Sequence, residues 1–278
     1  LGIATGLRSA YTAVPTHEMA ARAVRAEELA IALDSTLPDA WAARGFWLQP
    51  TRRWDDSERF LRHAIALDPN YTLGHKWLCQ VLTALGRFDE ALEHCRTATE
   101  LDPLLATTWE TYAKAAFVAR RDSAAFDAAS RALELNPAMR SARMWRALAD
   151  LNRGQKQAAV AEIAGDSTSG YPGDVGMWGY VHAVAGRRNE AIAALKRLEA
   201  RAAIEAPAVA AAGMVYLGLG DTDKALADFI ATGGGDDLAI EMGGLGSPLL
   251  DPLRSNPRFA ELLRAMNLQD QPVSRLKR

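Results

Sequence analysis

Apolar residues recur at helical spacing along most of the chain, in short segments separated by polar residues, glycine or proline. In TLGHKWLCQVLTAL (72–85) the apolar positions fall three and four residues apart, and the segment is followed by Gly86, a residue type favoured just after a helix. The next segment, FDEALEHCRTATEL (88–101), begins with acidic residues, which suit a helix N-terminus, and stops before Asp102 and Pro103. The pattern predicts two helices joined by a tight turn.

This helix pair recurs with a period of 34 residues. Pro69, Pro103 and Pro137 are spaced by that period, and each follows a Leu-Asp or Leu-Asn pair. A fixed period of this length is typical of a solenoid, in which each unit buries its apolar face only against its neighbours. We therefore predict an all-α solenoid of stacked helix pairs.

Small side chains recur where the two helices of a pair must approach closely. They are Gly45, Cys79, Ala113 and Gly213 on first helices, and Ala64, Ala98 and Ala132 on second helices. A larger side chain at such a position would push the helices apart and open a void elsewhere in the interface. The pattern therefore predicts close helix packing at these residues.

These features resemble the tetratricopeptide repeat. The matching residues occupy the early aromatic, small-residue and proline positions of that family: Trp41, Trp109, Gly86, Ala91, Ala98 and Pro103. The resemblance implies a right-handed α-solenoid of stacked helix-turn-helix units that ends in a capping segment.

The predicted units divide the chain into six parts. These are a partial first unit (1–37), three well-formed units (38–139), two degenerate units (140–205), a last unit with a glycine-rich loop (206–246), a C-terminal cap (247–268) and a tail (269–278). The glycine-containing segments GDSTSG (165–170) and GGGDD (233–237) lack the residue spacing and strand context of catalytic or phosphate-binding loops. We predict ordinary loops there.

Two segments also resemble the C-terminal repeat region of large bacterial regulators: WDDSERFLRHAIALDPNYTLGHKW (54–77) and DPLRSNPRFAELLRAMNL (251–268). In those proteins the repeats follow a winged-helix DNA-binding domain, a serine/threonine kinase domain or a nucleotide cyclase domain. The sequence contains none of these effector domains and no initiator methionine. We expect a piece or processed form of a longer protein, and the resemblance implies its sensory or docking part.

The overall composition narrows the class of partner. The 278 residues are 49% hydrophobic and carry a formal net charge of −2, whereas a nucleic-acid partner normally requires a basic excess. No apolar run reaches the roughly 20 residues that span a bilayer, so membrane insertion is not expected. Two cysteines are too few for a disulfide framework and favour a reducing compartment, hence a cytoplasmic location.

One group of side chains has the composition of a metal site. His75 and Cys79 lie one turn apart on a first helix, and His94 and Cys95 lie on its partner helix, which would permit a zinc site or a disulfide. Both cysteines also fall at small-residue packing positions, and we prefer that interpretation. No catalytic residue, metal or cofactor is predicted, and the chain is not expected to be an enzyme.

In the family that the chain resembles, the first helices line a concave groove that commonly holds a peptide. The corresponding residues are Phe46, Lys76, Trp77, Gln80, Glu110, Lys114, Met144, Trp145, Leu148, Met177, Tyr180 and Met214. Aromatic and methionine side chains are frequent at binding surfaces, although Trp77 and Trp145 would alternatively be buried between helices. We expect a protein-interaction scaffold that is a regulatory part of a bacterial signalling protein. The alternative is a small-molecule sensor with a pocket around Met144, Trp145, Met177 and Tyr180.

Arginines interrupt the apolar pattern of the unit that begins at residue 140. Arg140, Arg143 and Arg146 are spaced three residues apart along one helix ridge. We prefer a solvated face where the stack loosens, and the alternative is a site for an anion or an acidic peptide. Self-association through the incomplete first unit is a further option, because an uncovered apolar helix face tends to find a partner.

Overall fold

The computed structural model describes five stretches of the chain: residues 16–49, 53–165, 169–202, 205–232 and 246–265. The opening residues 1–15, the loop 233–245 that contains GGGDD, and the predicted tail lie outside the described residues. The GDSTSG loop is described only in part. All regular secondary structure in the described stretches is helical, which confirms the predicted all-α class.

Fourteen α-helices and one 3-10 helix follow one another in the described chain. They are α1 (Thr16–Leu33), α2 (Pro38–Leu48), α3 (Trp54–Leu67), α4 (Thr72–Ala84), α5 (Phe88–Leu101), α6 (Ala106–Val118), α7 (Asp122–Leu135), α8 (Arg140–Asn152), α9 (Lys156–Glu162), α10 (Pro172–Val184), α11 (Arg188–Ala202), α12 (Ala206–Leu219), α13 (Thr222–Ala231), the 3-10 helix (Pro248–Leu253) and α14 (Phe259–Ala265). From α2 to α13 they form six successive pairs, which we number unit 1 (α2, α3) to unit 6 (α12, α13).

The turn inside a unit requires a left-handed backbone conformation. Gly86, Gly154, Gly186 and Gly220 have φ angles between 74° and 85° at this turn. Glycine adopts such angles without the clash that a Cβ would cause. Unit 3 departs from the rule, because Arg120 takes this conformation with a φ of 59°.

The packing order of the helices produces a solenoid. The two helices of each unit contact one another. Every first helix from α2 to α10 also contacts the first helix of the next unit, and α12 is the last of these partners. In the described part of the chain, second helices of consecutive units have at most sparse contacts. Because first helices lie closer together than second helices, they form the inner side of the stack. The predicted solenoid is confirmed.

Close approach at small residues holds each unit together. A Cβ added to Gly45 would lie 2.7 Å from Cγ of Leu61, and one added to Gly213 would lie 2.7 Å from the Phe229 ring. Leu61 and Phe229 are both fully buried. The other predicted small positions are also buried: Ala64, Cys79, Ala98, Ala113 and Ala132. The predicted close packing at these residues is confirmed.

The C-terminal residues cover the last unit. Helix α14 packs against α13, and its Phe259, Leu262 and Leu263 side chains are buried in the main apolar cluster. This contact closes the apolar end of unit 6, as a solenoid cap must do. No helix in the described stretches is both long enough and apolar enough to cross a membrane.

The Gly213→Ala variant tests the close approach in unit 6. The new Cβ would overlap the buried Phe229 ring, so we expect the free energy of unfolding to fall by about 1–3 kcal/mol. Urea denaturation measures this change. Gly170→Ala is the matched control, because no atom lies within 4 Å of its added Cβ, and its effect should stay within about 0.5 kcal/mol. Equal losses in the two variants would contradict the packing argument.

Candidate functional site

Side chains on the inner side connect unit 1 to unit 3. The Phe46 ring of α2 lies 4.8 Å from the Trp77 ring of α4, measured between centroids. Next to Trp77, the Lys76 ammonium donates a hydrogen bond to Oγ1 of Thr107 on α6 at 2.9 Å. These contacts join consecutive first helices directly, without the second helices.

The same line of contacts continues to unit 4. Gln80 of α4 lies 3.5 Å from Oγ1 of Thr111 on α6, at the limit of a hydrogen bond. The Trp145 indole N–H of α8 donates to the Glu110 carboxylate at 2.9 Å, and the Lys114 ammonium lies 5.9 Å from the Trp145 ring centroid. We call Phe46, Lys76, Gln80, Glu110, Lys114 and Trp145 the inner row. The structure therefore brings most of the predicted groove residues together along one seam.

Lys76 carries a partly buried charge in the inner row. Burial lowers its pKa, and the nearby Glu110 carboxylate opposes this effect without cancelling it. The Lys76 ammonium donates a hydrogen bond to the Thr107 hydroxyl. A buried charge is unfavourable unless it is paired, so a further acceptor at this position would stabilise the ammonium. The inner row thus has a donor suited to a carbonyl or carboxylate oxygen.

Burial separates the predicted groove residues into two groups. The Trp77 and Trp145 side chains are only 6% and 2% exposed, so the alternative of buried tryptophans is correct. Leu148, Met177 and Met214 are also buried. The half-buried residues are Phe46, Lys76, Gln80, Glu110, Lys114, Met144 and Tyr180. Truncating either tryptophan would open a cavity in the core, so loss of binding in such a variant would not identify a contact.

The residues of the proposed small-molecule pocket are packed together. Trp145 and Met177 are buried members of the main apolar cluster, and Met144 and Tyr180 pack against it. Burial, with a smaller contribution from Asp251, raises the pKa of Tyr180 to about 12. These four side chains form part of the core here rather than the lining of an open cavity.

Each of the three arginines of helix α8 is bonded within the chain. Arg140 donates to the Asp174 carboxylate at 2.5 Å, and Arg146 donates to the carboxylate of Glu162 on the short helix α9 at 2.7 Å. Arg143 donates to a backbone carbonyl oxygen at 3.2 Å. Internal partners therefore occupy the guanidinium groups, and we do not propose an anion site from this ridge. Arg146 is also half-buried against α9, which differs from the expected solvated face.

Cys79 and Cys95 form a disulfide that joins the two helices of unit 2. Both residues are at most 1% exposed. The preferred interpretation of two unbonded packing residues is therefore wrong, and the disulfide alternative is correct. The spacing of Cys79 and Cys95 in the sequence does not specify whether their sulfur atoms lie within bonding distance. Because each sulfur is bonded to the other, neither is available as a thiolate ligand in this state.

A histidine pair lies beside the disulfide. Nε2 of His75 lies 3.0 Å from the carbonyl oxygen of Pro69, and its Nδ1 lies 2.9 Å from Nδ1 of His94. The Pro69 oxygen can only accept, which assigns the His75 proton to Nε2 and leaves its Nδ1 as the acceptor. His94 therefore donates to a neutral His75. This contact allows at most one of the two rings to carry a charge.

Comparison with known proteins identifies the repeat. Residues 79–103 match the family model described as tetratricopeptide repeat. A search of curated proteins finds no match to the chain. A tetratricopeptide repeat protein from Parabacteroides merdae ATCC 43184 has a similar structure, with a TM-score of 0.60 and 14% identity over 85% of this chain and 92% of that chain.

Two further solved structures have the same architecture. A chain of the APC/C hetero-tetramer Cut9–Hcn1 gives a TM-score of 0.57 at 14% identity, over 86% of this chain and 44% of that chain. PilW, a widely conserved type IV pilus biogenesis factor, gives a TM-score of 0.55 at 16% identity, over 73% of this chain and 96% of its own. Similarity at these identities shows the fold alone.

The stacked helix pairs define an α-solenoid, a fold class consistent with protein-interaction scaffolds. Residues 79–103 match the tetratricopeptide repeat model, and the described helix pairs have the fold of the tetratricopeptide repeat proteins to which the chain is similar.

Removing the disulfide tests its contribution to unit 2. The bridge connects residues 16 positions apart, and closing a loop of about 15 residues stabilises a protein by about 3 kcal/mol in the chain-entropy model. We expect the double variant Cys79→Ala, Cys95→Ala to lose about 2–3 kcal/mol in urea denaturation without reductant. Dithiothreitol should shift the wild type toward the variant and leave the variant unchanged. Identical unfolding midpoints for all samples would show that the bridge does not stabilise the fold.

The histidine pair predicts a loss of stability on acidification. Burial lowers the pKa of His94 below its usual 6.5, with further lowering by His75, Arg62 and Arg87 and partial opposition by Glu90. The unfolded state therefore takes up a proton first, so the free energy of unfolding should fall as the pH drops from about 7 through 6.5 and below. Denaturation at pH 7.5, 6.5 and 5.5 should show a smaller loss for His94→Gln than for the wild type.

Asp228 is present in both the wild type and His94→Gln, so its contribution to the pH dependence of stability cancels when the two proteins are compared. Burial raises its pKa to about 6, so its protonation favours the folded state in the same pH window, with the opposite sign. Only the difference between wild type and His94→Gln reports on the histidine pair. Parallel pH curves for the two proteins would exclude this role for His94.

Proposed function

We propose that the chain is a non-enzymatic docking scaffold that binds an extended segment of a partner protein along its inner side. The observation that carries this proposal is the inner row, which runs without interruption across the first helices of units 1 to 4. We further propose that the chain is a regulatory part of a larger bacterial signalling protein, as its resemblance to the repeat regions of such regulators implies.

The chemistry of the inner row suits an extended peptide. Lys76, Gln80 and Lys114 carry N–H donors, while the Glu110 carboxylate already accepts from an indole. An extended backbone presents carbonyl oxygens at regular intervals, and acidic side chains add carboxylates. Half-buried Phe46 and Met144 supply apolar contacts at the two ends of the row.

The perturbed ionisable groups favour binding over catalysis. The lowered pKa of Lys76 has burial as its main cause, and the Lys76 ammonium bonds a threonine hydroxyl rather than a nucleophile or base. The lowered pKa of His94 likewise follows from burial beside another histidine. Both shifts accompany packing, so we assign no reaction to these groups.

The state of the two cysteines bears on the cellular compartment in which the chain works. The low cysteine count led us to expect the cytoplasm, whereas a disulfide such as Cys79–Cys95 persists mainly in oxidising environments. We therefore propose that the chain works in an oxidising compartment. A protein rather than a nucleic-acid partner agrees with the net charge of −2.

Self-association stays a second candidate. Helix α1 exposes Leu29 and Leu33 one turn apart, at 61% and 79%, and Leu37 follows at 43%. Exposed apolar side chains on one helix face favour contact with another protein surface. A second copy of the chain is one such surface.

Site-specific photo-crosslinking tests the inner side as the docking surface. A benzophenone side chain at position 80 should crosslink a discrete partner in cells, because Gln80 belongs to the inner row. The matched control at position 96 replaces exposed Arg96 on second helix α5 and should not capture that partner. Adding Lys114→Ala should reduce the yield from position 80 several-fold. Equal crosslinking of one partner from both positions would overturn the proposed surface.

A further inference from the structure

The chain lays one of its own segments across several units. We call residues 246–254, which include the 3-10 helix, the strap. Gly246 at its start contacts the Phe88 ring of unit 2 so closely that a Cβ would not fit there. Just beyond its end, Asn256 donates to the carboxylate of Asp223 in unit 6 at 2.7 Å. The strap thus connects the turn of unit 2 with the turn of unit 6.

Three leucines anchor the strap in the core. Leu249, Leu250 and Leu253 are at most 3% exposed. They belong to the same apolar cluster as Leu148 and Met214, two of the predicted groove residues on first helices. The strap is therefore part of the main apolar core, where it packs against second helix α13 of unit 6, and its Asp251 interacts electrostatically with Tyr180 of first helix α10. Buried apolar anchors of this kind account for most of the affinity of peptide recognition.

A charged pair sets the position of the strap. Nη2 of Arg120 in unit 3 donates to both carboxylate oxygens of Asp251, at 2.8 and 2.7 Å. Both side chains stay more than one third exposed, so the pair adds little stability by itself. Its value lies in selecting one register of the strap, because an acidic residue is required opposite the guanidinium.

Arg120 is an exception among the turn residues. The equivalent turn position is glycine in units 2, 4, 5 and 6, whereas Arg120 holds a left-handed conformation at a φ of 59°. This conformation is unfavourable for a residue with a Cβ, and such strain is often found at functional sites. Among the described residues no other non-glycine has a positive φ, so the strained position coincides with the contact to Asp251.

An open depression adjoins the strap. It is lined by 86–90 from the turn of unit 2 and by 119–121 from the turn of unit 3. Phe88 and Arg120 belong to this lining and also contact the strap. A second segment can therefore approach the two strap contacts from solvent. The strap shares the capping of α13 with α14, whereas its contacts with Phe88 and Arg120 lie outside unit 6.

We propose that the surface covered by the strap, from Phe88 of unit 2 past Arg120 of unit 3 to α13 of unit 6, is a receptor site for a segment with two adjacent leucines followed by an aspartate, and that the strap occupies this site in cis. A partner segment of the same chemistry binds by displacing the strap, with its carboxylate on Arg120. This inference rests on the proposed docking function and specifies the partner's binding segment.

Peptide binding tests the proposal with the strap's own sequence as the probe. A fluorescent peptide of residues 246–256 is titrated against the wild type and against a strap-released variant, Leu250→Ser with Leu253→Ser, in fluorescence anisotropy. We expect at least tenfold tighter binding to the released variant, because its receptor site is free. Arg120→Ala in the released variant should weaken binding by about two- to fivefold, because the ion pair is exposed. A peptide with Asp251→Asn should lose a similar factor.

Circular dichroism verifies that the released variant is folded. If it is not folded, full-length Asp251→Asn, which retains the three leucines, replaces it, and we expect this variant to bind the peptide about two- to fivefold more tightly than the wild type. No binding to a folded released variant, or equal binding to the wild type, would overturn the proposal. The probe is the chain's own segment, so this failure is distinct from the absence of a crosslinked partner at position 80, which would instead count against the docking function.

Discussion

Close packing of helices, both within each pair and between one pair and the next, organises the whole structure. A single pair has an apolar face that it cannot bury alone, and its two helices approach closely only where one side chain is very small. At Gly45 and Gly213 an added Cβ would overlap buried Leu61 and Phe229. Repeating this contact every 34 residues produces a stack, and the closer spacing of the first helices gives the stack its inner side.

The inner side combines stabilising and binding chemistry in the same residues. Trp145 is buried, yet its indole N–H bonds Glu110 of the preceding first helix, which fixes the Glu110 carboxylate on the inner row. Later in the stack the strap leucines are buried in the same apolar cluster as Trp145. The first helices of the early units therefore present polar, half-buried side chains, whereas the apolar core of the later units includes a segment from beyond the last unit.

Unit 2 concentrates the chemically sensitive groups of the described chain. The Cys79–Cys95 disulfide joins its two helices, and in the neighbouring His75–His94 contact burial lowers the pKa of His94. A change in redox state or pH therefore acts on the same helix pair. Lys76 and Gln80 of the inner row lie on the first of these two helices, so such a change bears directly on the proposed docking surface.

The helix pairs, their period and their tight packing follow from the amino-acid sequence, because helical spacing, small residues and turn glycines are local signals that recur with each unit. The sequence also indicated which residues lie on the inner side, including Lys76, Gln80 and Glu110. The extent of side-chain burial, the bond between Cys79 and Cys95 and the pairing of Arg146 with Glu162 emerge from the folded structure. The contact between Arg120 and Asp251, 131 residues apart, has no local signal at all. Contacts of this kind depend on how the units curve in space, which results from packing summed over the whole stack.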